Sequence, residues 1–102
     1  FLNGYQWGRQ IHDARADLRG TQARLRSARD GLVHTDNAIA SATAELLLSN
    51  LPKDRRLFLA QELVRLGQDR TELATRIDAL TVHAQQLALN VQQLERQSPY
   101  AL

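Results

Sequence analysis

The chain has 102 residues, enough for one domain, and its formal net charge of +2 does not by itself imply a polyanionic partner. Its apolar share is 43%, but Leu and Ala dominate it, aromatics are 5%, and there are only four Val and three Ile, so the composition suits long helices around a thin core. There is no cysteine, which excludes disulfides and thiolate metal sites, and no apolar run approaches the roughly 18 residues of a membrane span or forms a signal-peptide core.

The chain opens on aromatics: Phe1, Tyr5 and Trp7, with Gly4 and Gly8 among them. The first predicted helix, over about 6–49, carries Ile11, Leu18, Leu25, Leu32, Ile39 and Leu46 at intervals of seven. Three residues after each stands a small one: Ala14, Thr21, Ala28, Thr35, Ala42 and Ser49. Alternating steps of three and four make the a/d seam of a coiled coil, and the pairing of large with small residues suits close helix approach.

A turn is expected over 50–52. Asn50 can take the left-handed conformation that ends a helix. Pro52 cannot continue the first helix but suits the first turn of the next, and Asp54 favours that helix N-terminus. A connection this short makes its two helices antiparallel neighbours.

The second helix is expected over about 53–97 and stopped by Pro99. It carries Leu59, Leu66, Leu73, Leu80, Leu87 and Leu94, again at intervals of seven. Leu63, Arg70, Ile77, Ala84, Val91 and Ser98 fill the alternate seam positions. The expected fold is therefore all-α, a long antiparallel helical hairpin of coiled-coil type, forming a single domain over 1–102. Its helices would each be about 60–68 Å long.

Further apolar residues lie off the seam: Val33, Ala40 and Leu47 on the first helix, and Phe58, Val64, Val82 and Leu89 on the second. They widen the stripe beyond what two helices bury, and the expectation is a second contact, most simply a dimer of hairpins forming a four-helix bundle. The partners implied are a second copy or another helical protein.

Arg70 interrupts the leucine series. In the antiparallel register, facing residue numbers total about 104, which brings it to His34, Thr35 and Asp36. An Arg70–Asp36 pair is expected, with the aliphatic stem packed in the seam, serving register or assembly state, or else docking a ligand anion. Gly31 and Gly67 come to about the same level, marking either a weak or closely packed zone or merely tolerated surface glycines.

Arginines crowd the first helix: Arg9, Arg15, Arg19, Arg24, Arg26 and Arg29, against Asp13 and Asp17. A basic helical face could contact phosphates, which makes nucleic acid an alternative partner through Arg15, Arg19, Arg24, Arg26 and Arg29. These arginines occupy several heptad positions rather than one stripe, and Glu95, Asp78 and Glu72 are available to pair with them across the hairpin. No nucleophile–base spacing, glycine-rich phosphate loop or metal-ligand motif occurs, and His12, His34 and His83 are far apart. The expectation is a non-enzymatic module with no cofactor.

The fold brings Phe1, Tyr5, Trp7 and Tyr100 to one end. Aromatics there suit either a membrane–water interface or a cap on the last seam layer. The sequence also has no methionine and begins at Phe1, as a processed product or excised domain would. Together these favour the extracytoplasmic, periplasmic face of a membrane-anchored protein. In architecture, though not in sequence, the expected hairpin resembles extracytoplasmic helical domains of bacterial membrane receptors, and equally assembly modules of secretion and phage machinery.

Overall fold

A computed structural model of the chain describes residues 4–97. It consists of α1, Gly4–Leu46, and α2, Lys53–Gln97, packed as an antiparallel hairpin, with no strand among the described residues. Each helix runs unbroken because no proline lies inside it and because Leu, Ala, Gln, Arg and Glu supply most of its positions.

α1 stops three residues before the expected end. The amides of Leu47 and Leu48 turn back to the carbonyls of Ala44 and Glu45 at 3.2 and 3.0 Å, tightening the last turn, and Ser49 falls outside the helix. Asn50 does not adopt the left-handed conformation, since no described non-glycine residue has positive φ. The work of ending the helix passes to a side chain from across the turn. Arg56 donates to the Leu46 and Leu48 carbonyls at 3.1 and 3.2 Å, placing a cation on the negative end of α1. α2 starts as Pro52 predicts, with the Pro52 carbonyl accepting the Arg56 amide at 2.9 Å.

By contact density the chain divides into two compact units, Phe1–Arg26 with Asp78–Leu102, and Ser27–Ile77. In the first, Ala14, Thr21, Leu25 and Val91 are buried, and Ile11, Leu18, Leu80, Ala84, Leu87 and Leu94 are half-buried. In the second, Ala28, Ala42, Leu59 and Leu66 are buried, with Leu32, Ile39, Leu46, Leu63, Leu73 and Ile77 half-buried. Both units obey one rule. Most of the small seam residues of α1 are buried, Thr21 having no exposure at all, while most of the large ones keep one flank in water. Two helices can enclose only the line where they touch, and at that line a short side chain permits the closest approach.

Three features of the expected hairpin can now be placed. Arg70 keeps about half of its side chain in water, at 51% exposed, where it pairs with Asp36. The off-seam residues Val33, Ala40, Leu47, Phe58, Val64, Val82 and Leu89 are all exposed within this chain. Gly67 stands in open space, and a β-carbon on Gly31 would meet only ordinary van der Waals contacts, so neither glycine is forced by close packing.

Candidate functional site

Heptad letters sort the surface. With Ile11 and Leu63 at a, the ion pair of Arg15 with Glu95 in the first unit joins two e positions, at 3.2 Å from Nε and 2.5 Å from Nη2. In the second unit, Arg55 and Glu45 join two g positions through paired hydrogen bonds of 2.6 and 2.9 Å. Pairing e with e and g with g is the signature of antiparallel helices. It gives each unit an e/b side and a g/c side.

On the g/c side of the second unit, Ala38, Ser41, Glu45, Phe58, Glu62 and Arg65 line a shallow groove of about 290 Å³. Its rim is laced with charge. The Arg55 guanidinium lies 5.3 Å from the Phe58 ring centre, and Arg65 bridges Glu62 and Asp69 at 2.6 and 3.1 Å. Hydrogen bonds from Arg55 hold the Glu45 carboxyl below its ordinary range, and those from Arg65 do the same for Glu62. The Arg55 guanidinium is raised in turn by Glu45. All of these groups are mutually satisfied, and the groove is too open to exclude water from a reaction.

The e/b side of the same unit has a different character. Val33 and Ala40 on α1, and Leu47 in the turn just after it, follow one another at seven-residue steps, as do Leu57 and Val64 on α2. All are exposed, Leu47 by 81% and Val64 by 64%. The expected ion pair spans the hairpin beside them, with Arg70 Nε donating to Asp36 Oδ1 at 2.7 Å. That pair is half-exposed on both partners, a geometry that orients side chains more than it stabilises the fold.

In the first unit, the five arginines proposed for polyanion contact that lie there or at its edge are not equivalent. Arg15 is tied to Glu95, and Arg24 donates to the Thr21 hydroxyl at 3.3 Å. Arg19 and Arg26 are exposed and stand on the Arg15 side, at steps of four and seven, while the arginines as a set occupy several heptad positions. Arg29, also exposed, belongs to the second unit. On the opposite, g/c side of this unit is a polar groove of about 280 Å³, lined by Gln10, Asp13, Asp17 and Asn90 together with Ala14 and Leu94.

Tyr5 is 76% exposed and Trp7 half-buried; Tyr100, Phe1 and Ser98 lie outside the described residues. Among the described residues no helix is long and apolar enough to cross a membrane, and no group of three or more His, Cys, Asp or Glu is placed to hold a metal ion. His12, His34 and His83 are all exposed.

Two structural features escaped the sequence: the Arg55–Glu45 pair and the Arg56 cap. A signal was present. Adjacent arginines in the first turn of a helix oppose its dipole, so some other acceptor has to compensate them. No family model matches the chain, and no curated protein or solved structure is significantly similar to it.

Proposed function

We propose that the chain is a non-enzymatic interaction module that self-associates through its helix faces into a four-helix assembly. The observation that carries this reading is the number of large apolar residues left in water off the seam, Val33, Leu47, Leu57 and Val64 in one unit and Val82 and Leu89 in the other. Each would contribute about 1.5–3 kcal/mol on full burial, and a chain whose own seam leaves its leucines half-wet gains more from such burial than a globular domain does. The module spaces or couples whatever is attached to it, as a scaffold or as the sensor domain of a membrane-anchored protein. Exposed Tyr5 beside half-buried Trp7 supports a place near a membrane surface. Sedimentation velocity tests self-association: a concentration-dependent dimer is expected, and a monomer persisting at several hundred micromolar overturns it.

The second reading is nucleic-acid contact through Arg15, Arg19 and Arg26. It is favoured by the exposed stripe these residues form, and weakened because Arg15 is already paired with Glu95. Two or three phosphate contacts give a salt slope of only about −2 to −3. Duplex binding that survives 200 mM salt, about the upper end of the usual range, would establish this reading over the first.

A further inference from the structure

Resting on the reading of the chain as an interaction module, we infer that the second copy seats on the e/b side of the Ser27–Ile77 unit, face to face through Val33, Ala40, Leu47, Leu57 and Val64. The steps between these residues are seven along both halves of the hairpin, with Leu47 one residue past the end of α1. An exposed stripe with that period stays in register only with another helix of the same repeat lying along it. The chain itself supplies two such helices.

Both stripes fall on one side of the hairpin. The residues at g and c, Ala38, Ser41, Glu45, Phe58, Glu62 and Arg65, share the groove on the opposite side, which leaves the b positions of α1 and α2 together on this one.

Charge then selects the occupant. Along 33–47 and 57–71 the e/b side holds one acid and one base, Asp36 and Arg70, and these pair with each other. Between them stand uncharged residues: Thr43, Ala44, Ala60, Gln61, Gly67 and Thr71. The g/c side, by contrast, carries Glu45, Arg55, Glu62, Arg65 and Asp69. Foreign helical partners are chosen by flanking charges, and this face offers none to choose by. A face that is apolar and self-neutralised complements its own copy across a two-fold axis, and loss of charged residues marks the centre of an interface.

Its size sets the strength. Fifteen residues of helix span about 21 Å and two helices are about 20 Å wide, a footprint of about 400 Å², roughly half that of a standard specific interface. The association expected is accordingly weak, in the micromolar range.

The test is sedimentation velocity on the whole chain from about 1 to 500 µM, comparing the unaltered protein with Val64→Arg and Phe58→Arg, both at exposed positions. Val64→Arg is expected to weaken association at least about 30-fold, the size of a hot-spot loss, with helicity by circular dichroism unchanged. Phe58→Arg, on the opposite groove, is expected to stay within about 3-fold of the unaltered chain, since charge at a position outside the interface changes little. The chain has no cysteine, so Val64→Cys should oxidise to a covalent dimer while Arg65→Cys, on the far side, should not. Association that survives Val64→Arg, or that is lost in Phe58→Arg instead, overturns this face but leaves self-association standing. A chain that stays monomeric throughout overturns both.

Discussion

The methyl groups of Leu73 lie 3.5 and 3.6 Å from the point where a β-carbon on Gly31 would stand, whereas nothing comes within 4 Å of the same point on Gly67. Each glycine carbonyl also accepts a hydrogen bond from the threonine four residues on, Thr35 at 2.9 Å and Thr71 at 3.0 Å, within an otherwise regular helix. Alanine therefore fits at both sites. Gly31→Ala and Gly67→Ala are each expected to stabilise the fold by about 0.5–1 kcal/mol through the lost backbone freedom of the unfolded chain. Urea unfolding measures this. A loss above about 1 kcal/mol in Gly31→Ala would mean that Leu73 cannot give way and that the seam needs a glycine there.

Thr21 is the most buried side chain described, and its hydroxyl accepts a hydrogen bond from Arg24 at 3.3 Å. Thr21→Val keeps the shape and frees an arginine that water can serve, so its stability should stay within about 1 kcal/mol of the parent. Thr21→Leu, one carbon larger than valine, adds bulk at the line of closest helix approach and should cost about 1–3 kcal/mol despite greater hydrophobicity. If leucine is as well tolerated as valine, the small residues of α1 do not set the helix spacing.

Arg56 holds two carbonyls at the end of α1, a task that needs a forked donor. Arg56→Ala should lower stability by about 0.5–1 kcal/mol, and Arg56→Lys should recover only part of it. Hydrogen exchange sharpens the test. The amides of the last turn of α1 should lose protection first, while those around Thr21 keep theirs.

Acid should loosen the same region. The Glu45 and Glu62 carboxyls are held below the ordinary glutamate value of 4.5 by Arg55 and Arg65. A carboxyl depressed in the folded state contributes stability that is present above its unfolded value and is lost as the pH falls through the folded one. Melting temperature is thus expected to be level from neutral pH down to about 5 and to fall below about 4.5. Glu45→Gln with Glu62→Gln should flatten that acid limb, and an unchanged limb would show that other carboxylates produce it. Both groups are in contact with solvent, so the effect is modest and shrinks in high salt.

Much of this was legible in the chain. The unbroken series from Leu59 to Leu94, its counterpart from Ile11 to Leu46, and Pro52 between them define two helices and an antiparallel turn through spacing alone. That register was good enough to anticipate Arg70 meeting Asp36, because two residues so placed face each other within any small stagger of the helices. It could not tell how much of the Arg70 side chain stays in water, since that depends on where its guanidinium meets the carboxylate. Nor could it tell that α1 ends at Leu46, because the carbonyls released there are satisfied by Arg56, a residue on the other helix.

Sequence by itself determined the two helices, their direction and their seam, because side-chain direction along a helix is a local property repeated every seven residues. Tertiary structure decided which members of each stripe are covered. Burial depends on how closely two helices approach, and here the small side chains at Ala14, Thr21, Ala28 and Ala42 set that approach, leaving the outer row from Val33 to Leu47 and from Leu57 to Val64 in water.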